Sequence, residues 1–205
     1  MKEELEIWEK TSDVDLITLI QKANTGRELF SANLMEILEI IKTRRSIRRF
    51  QSKEIEKEKI DKLIESLIWA PSAGNLQARK FYFVFNKESK EKLAMAASDQ
   101  KFITQAPLVV VGCTDDEIEW KYGERGKTVY SICDVAMSVQ NMMLLAVEQG
   151  LGTCPVGAFD EKEVKEILNL PKNLRPIIIV PVGYPAHKPS APSRVSKEKV
   201  VEFIK

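Results

Sequence analysis

The chain has 205 residues, 44% of them hydrophobic, with 31 Lys and Arg against 30 Asp and Glu for a net charge of +1. That is enough apolar chain for a substantial core, and too even a balance to draw the whole molecule to nucleic acid or an anionic membrane, so any basic function is local. Met1-Lys2-Glu3-Glu4-Leu5 lacks the basic start and apolar stretch of a signal peptide, and no uninterrupted apolar run reaches spanning length; a cytoplasmic protein is expected.

In chain order, residues 1–33 form a polar leader with Leu5, Trp8, Leu16, Leu19 and Ile20 at apolar positions, which predicts a helical N-terminal extension. Residues 34–205 are expected to form one domain. Leu34, Ile37, Leu38 and Ile41 recur at helical spacing and predict a helix to Thr43. Ile55, Ile60, Leu63, Ile64, Leu67 and Ile68 mark a second, stopped by Pro71. Phe81–Phe85 and Pro107–Cys113 read as strands, with a helix over Ser89–Ala97 between them. Residues 128–149 are apolar on most faces, which predicts a helix buried by the fold or by a partner subunit. Gly150-Leu151-Gly152 ends it and leads into a strand over Thr153–Phe159. Asp160 caps a helix to Leu168, Ile177–Val182 is a fourth strand, and a proline-rich connection, Gly183–Ser193, precedes a final segment from Lys197 to Lys205. Helices separate the strands, and the spacing leaves parallel and antiparallel pairing open.

Three segments carry chemistry. Lys42, Arg44, Arg45, Arg48 and Arg49 follow directly on a helix. They suit a helix C-terminus, where the macrodipole favours cations, and equally an anion site, where guanidinium forks grip phosphate and Ser46 adds a hydroxyl. Nucleic acid fits poorly, because the patch is short and no aromatic platform is interleaved. Pro71-Ser72-Ala73-Gly74-Asn75-Leu76-Gln77 has turn composition; its small side chains also expose backbone N–H groups, and Asn75 and Gln77 offer donors and acceptors to a heteroaromatic edge. In Gly150-Leu151-Gly152-Thr153-Cys154-Pro155-Val156-Gly157-Ala158-Phe159 a helix cap and strand also lay unencumbered backbone where a flat ring can approach. Arg194 is a lone cation in the tail, by default a solvated one.

Several chemistries are poorly supported. Cys113, Cys133 and Cys154 show no C-x-x-C spacing and His187 is the single imidazole, so neither a disulfide framework nor a metal site is expected, and each thiol reads as a small buried residue. Gly126-Lys127-Thr128 resembles the end of a P-loop, but Lys121 stands where that motif needs Gly. No G-x-G-x-x-G marks a Rossmann unit, and no Ser-His-Asp set can be assembled.

In this order, the basic cluster, the Pro-Ser-Ala-Gly-Asn loop, the Gly-Leu-Gly-Thr-Cys-Pro turn and the tail arginine resemble the FMN-dependent nitroreductase family, from about Leu34 to the C-terminus. The resemblance implies an α+β fold with a mostly antiparallel central sheet flanked by helices, in an intertwined homodimer with FMN at the interface. It implies NAD(P)H as reductant and a nitroaromatic, quinone or related small-molecule acceptor, with no nucleic-acid or membrane partner. By motif, Arg44, Arg45, Ser46 and Arg48 come from one subunit, Arg44 and Ser46 toward the phosphate and Arg48 toward the pyrimidine edge. Pro71, Ser72, Ala73 and Asn75 come from the other. Gln100 approaches the ring, Pro155, Val156, Gly157 and Ala158 lie along it with a backbone N–H near Gly157 facing N5, and Arg194 returns to the phosphate. No catalytic side chain is implied, since the flavin carries the two-electron chemistry. Two departures stand out: Pro192 where many relatives have Lys, with Lys188 as a substitute, and Gly157 where some have Glu. Asp115–Lys127 is a candidate lid. The alternatives are a specialised flavoenzyme of the same fold, such as a dehalogenase or flavin-modifying enzyme, and a flavin-binding protein without turnover.

Overall fold

A computed structural model describes residues 36–204, nearly all of them in the unit Leu38–Lys205. The leader expected over residues 1–33 lies outside the described residues.

Four strands form one sheet: β1 (Arg79–Val84), β2 (Leu108–Asp115), β3 (Gly152–Thr153) and β4 (Leu174–Gly183). Their order is β1-β2-β4-β3, and every pair is antiparallel, so the structure answers the question that strand spacing left open. Arg79 pairs with Thr114 and Thr114 with Arg175 at one end; Leu108 pairs with Val182, and Gly183 with Gly152, at the other.

Both faces of the sheet are covered, which is why β2 reads as an almost unbroken apolar run. Val109, Val111 and Cys113 face one layer and Leu108 and Val110 the other, as the two-residue period of a strand requires. The first layer holds α3 (Lys87–Ala96), α4 (Phe102–Gln105) and α7 (Glu161–Ile167), through Leu93, Ile103 and Val164. The second holds α2 (Lys57–Ile68) and α6 (Ser131–Glu148), through Leu63, Leu67, Val135, Val139 and Met142. Close approach of α6 depends on Gly112, where a Cβ would lie 2.9 Å from both Val135 Cγ1 and Ile178 Cγ2. The helical stretch Asp116–Glu148 is long and apolar enough to cross a membrane by length and composition, but its buried face is part of this core, and Gly123 interrupts it with φ of 58°.

The helices fall where periodicity placed them, with shifted ends: α1 spans Ile37–Thr43, and α6 starts at Ser131 after a wide turn over Gly126–Tyr130. Asp160 caps α7, its Oδ1 accepting from Glu163 N at 2.9 Å. The strand expected over Thr153–Phe159 shrinks to two residues plus an isolated bridge from Val156 to Ile179. Two prolines explain this, since Pro155 and Pro181 each remove a donor from the ladder. The final segment contains a single turn at Lys197–Lys199. Of the three thiols expected to be buried, Cys133 is exposed on the outer face of α6.

Candidate functional site

α1 delivers the basic cluster. Arg45 does what a cation at a helix end is expected to do: its Nη1 donates to the carbonyls of Lys42 at 2.5 Å and Arg44 at 2.8 Å. Past it the chain runs extended and stitches together segments that are remote in sequence. Ser46 bridges to Thr153, Ile47 N donates to Thr153 O at 2.9 Å, Gln51 N to Tyr184 O at 2.9 Å, and Ala186 N to Arg49 O at 2.9 Å. Ile47 and Phe50 are buried with Ala106 beneath this seam. Gly152 lets the strands meet, because a Cβ there would stand 2.5 Å from Ile47 Cγ1.

The polar groups that converge here are incompletely satisfied. Arg44 Nη1, Arg45 Nε and Thr153 Oγ1 are buried with no hydrogen-bond partner among the described residues. Among the described residues, no ion pair involves Arg44, Arg45, Arg48 or Arg49. Burial pushes the Cys154 thiol above its ordinary value, against the pull of the Arg48 and Arg44 guanidiniums and a hydrogen bond with Ser46. Arg44, Ser46 and Arg48 are thus close enough to Cys154 to act on its thiol. Buried donors without acceptors carry a large desolvation cost, and an anion with several oxygens is what relieves it. The donor set fits a phosphate monoester.

Beyond Cys154 the backbone forms an open ledge. Pro155, Gly157 and Ala158 are exposed, and nothing lies within 4 Å of a Cβ built on Gly157. Val156 faces the other way: its side chain is in the core, and its N–H and carbonyl are bonded to Ile179 at 2.8 and 2.9 Å. A flat ring along this stretch would meet the Val156 backbone, not its side chain. Asp160 N donates to Ala96 O at 2.9 Å, which ties the ledge to the end of α3, where Gln100 donates Nε2 to Ala97 O at 2.9 Å. Arg48 stands with its guanidinium carbon 5.9 Å from the Phe102 ring centroid. Thus Arg44, Ser46, Arg48, Gln100 and Pro155–Ala158 lie in one neighbourhood.

Two expected contributors are not joined to this corner by any contact among the described residues. Arg194 is exposed, its Nη1 donating to the carbonyls of Ser193 and Pro192 at 3.1 and 3.3 Å. Pro71, Ser72, Ala73 and Asn75 precede β1, at the far corner of the sheet. The row Arg79–Thr114–Arg175 and the row Gly152–Gly183 are eight residues apart along β4, or about 26 Å at about 3.3 Å per residue, with two strands between β1 and β3. This loop is tightly built: Gly74, Asn75 and Gln77 have φ of 55°, 55° and 54°, and Ser72 Oγ accepts from Gln77 N at 3.1 Å. The candidate lid covers it, since a Cβ on Gly74 would collide with Tyr122 Oη, from α5 (Glu119–Arg125).

Sequence reasoning did not find Thr153, Phe102 or the pair Asp134 and Arg79 behind the loop. Only Asp134 left a signal, as a carboxylate amid the apolar face of α6.

A sheet sandwiched between helices, with a phosphate-ready corner opening onto a bare backbone ledge, defines an α+β protein of the nucleotide-cofactor-binding class. The nitroreductase family model matches residues 41–101 and 90–184. A Methanothermobacter thermautotrophicus protein with the provisional name NADH dehydrogenase/NAD(P)H nitroreductase is 30% identical over 174 residues, covering 80% of this chain and 88% of that one. A Bacillus subtilis protein named FMN reductase [NAD(P)H] is 29% identical over 180 residues, covering 80% and 72%. The structure of a Vibrio harveyi NADPH:FMN oxidoreductase complexed with NAD+ superposes with a TM-score of 0.77 at 26% identity, covering 82% of this chain and 77% of that one. The chain belongs to the nitroreductase family.

Proposed function

We propose that this protein is an FMN-dependent NAD(P)H oxidoreductase that works as a homodimer and reduces a nitroaromatic, quinone or related acceptor by a ping-pong mechanism. Arg44 and Ser46, with Thr153 beside them, hold the phosphate. Arg48 reaches the pyrimidine edge, where its charge steadies the reduced cofactor. The Pro155–Ala158 backbone would carry the ring, a backbone N–H near Gly157 would be available to it, and Gln100 would close the side. Bound FMN supplies the two-electron exchange between nicotinamide and acceptor. The chain's own part is to bind, orient and leave one ring face open, so that donor and acceptor occupy it in turn.

The observation that carries this reading is the pair of buried, unpartnered donors, Arg44 Nη1 and Thr153 Oγ1, beside Ser46. The second subunit is supported by distance: about 26 Å along β4 separates this corner from the Pro71–Asn75 loop within one copy, so a second copy is needed to bring that loop to the same cofactor, and Arg194 returns to the phosphate. Exposed apolar residues fit a covered face, among them Leu38, Ile41, Ile68, Trp69 and Met137.

Anaerobic stopped-flow mixing of the FMN-loaded protein with NADH, and separately with NADPH, should bleach the visible flavin band. Steady-state rates with a quinone should then give parallel double-reciprocal lines. A flavin that stays oxidised with both nicotinamides removes the proposal; intersecting lines remove the ping-pong order.

A further inference from the structure

The Pro71–Gln77 loop and the residues leading into it are held from behind by two charged side chains, Asp134 and Arg79. Asp134, in the first turn of α6, is 1% exposed, and its Oδ1 accepts from Ala73 N at 3.0 Å. Its Oδ2 is buried without a partner. Arg79, at the start of β1, donates Nη1 to Pro71 O at 3.0 Å and Nη2 to Ala70 O at 2.8 Å and Ile68 O at 3.0 Å. One residue therefore grips the amide side of the turn and the other its carbonyl side.

This arrangement is costly for the fold alone. A carboxylate with an unmet oxygen in an apolar layer beside Val135 and Val139 is worse for stability than an apolar residue of similar size. Burial pushes the Asp134 carboxyl up, against the Ala73 and Ala78 N–H groups and the Arg79 charge. What the carboxylate provides is a fixed acceptor at the point where the chain enters three residues with positive φ, two of them not glycine. Left-handed conformations persist only where the surroundings over-determine them.

We propose that Asp134, backed by Arg79, is a positioning residue that presets the Pro71–Gln77 loop for the cofactor, fixing Ala73 through its N–H so that the loop's other backbone groups are presented in the binding geometry. The inference rests on the FMN reading above and adds to it a side chain that touches no cofactor.

The test measures FMN dissociation constants by fluorescence quenching on apo-dimer, together with the visible circular dichroism of the bound flavin. Asp134→Ala should weaken FMN at least tenfold and alter the dichroism; Asp134→Asn, which keeps the acceptor, should stay within threefold of the parent. Because removing a buried carboxylate can disturb folding, Ala73→Pro provides an independent arm. It deletes the donor at the first position of a turn, where proline is tolerated, after a Ser72 whose φ of −147° and ψ of 154° suit a following proline. It should weaken FMN comparably, and the double variant should be no worse than the weaker single. Unchanged FMN affinity in Asp134→Ala, an Asp134→Asn as weak as the alanine variant, or additive losses in the double variant would each overturn the brace. A parent protein that takes up no FMN sinks the flavin reading itself, which separates the two failures.

Discussion

At the Gly152–Gly183 corner, Arg44 and Thr153 bury donors that no group among the described residues accepts. At the Arg79–Arg175 corner, the loop N–H of Ala73 and the carbonyls of Ile68, Ala70 and Pro71 are all engaged. The first corner offers buried donors that an anion would satisfy; at the second the loop's backbone groups are engaged without a ligand, Asp134 Oδ2 alone lacking a described partner there, so that corner would contribute shape. Binding free energy should therefore concentrate at the arginine corner, while preorganisation, which lowers the ordering cost of binding, should concentrate at the loop.

The largest effect expected from that contrast is at Arg44. Arg44→Ala removes a charge-assisted contact of roughly 3 kcal/mol, about a hundredfold in the FMN dissociation constant. The apo-protein should melt no lower than the parent, because the lost guanidinium includes a buried donor with no acceptor. Equilibrium titration and differential scanning fluorimetry on the same samples check both halves. An Arg44→Ala protein that keeps its flavin would end the assignment of this corner to phosphate.

Gly152 comes next, because the corner is a seam between two backbones. Gly152→Val would drive a side chain into Ile47, whose Cγ1 and Cβ would lie 2.5 and 2.9 Å from the new Cβ. Overpacking of this kind costs about 2–3 kcal/mol, which for a chain of this size lowers Tm by roughly 4–12 °C. Unlike Arg44→Ala it should harm the apo-protein and FMN binding together. A variant that melts normally would show that the seam is more pliant than its geometry indicates.

These two positions also show what could be read before any coordinates. The helices were legible because Leu63 and Leu67 repeat at helical spacing and residues 128–149 are apolar on most faces, and β2 because its short apolar run is bounded by turn formers and polar residues. The β3 region was not, because whether Pro155 and Pro181 starve a ladder depends on which strands face each other. Arg44 and Ser46 were candidates from composition alone, but their meeting with Thr153 is a contact across more than a hundred residues, which local pattern does not encode. Family resemblance brought Arg44 and Ser46 together with Pro155–Ala158 on one cofactor but did not name Thr153. It also placed Val156 along the ring, where the two-residue strand period turns its side chain into the core. Asp134 was visible as an oddity in an apolar face, but its use depends on the loop it meets.

A smaller effect is expected at Asp160, which caps α7 and whose N–H joins the ledge to α3. Asp160→Ala should cost about 1 kcal/mol of stability and leave the FMN dissociation constant within about twofold of the parent, since the backbone donor to Ala96 survives. Chemical denaturation and flavin titration check the split. A tenfold loss of FMN would mean that the ledge, and not the arginine corner, sets affinity.

The smallest effect separates the two corners by pH. Near the arginine corner, Glu56 accepts from Tyr184 Oη and pairs with Lys53 at 3.2 Å; the hydrogen bond from Tyr184, with its own backbone and Lys53 assisting, lowers its carboxyl to about 2. A carboxyl lowered in the folded state adds stability that is fully present above its unfolded value of about 4.5 and is lost as pH falls toward about 2. The group is solvent-exposed, so the slope is shallow and salt weakens it. Asp134 carries the opposite sign: burial raises its carboxyl, the folded state binds the proton more readily, and this site gains stability as pH falls through that raised value. Melting curves between pH 2 and 7 should accordingly flatten in Glu56→Gln, which removes the acid-sensitive contribution. In Asp134→Asn they should fall more steeply in the acid range, because a group that opposes acid unfolding is gone. Curves for the two variants that bend the same way would show that the corners do not differ electrostatically as their hydrogen bonding implies.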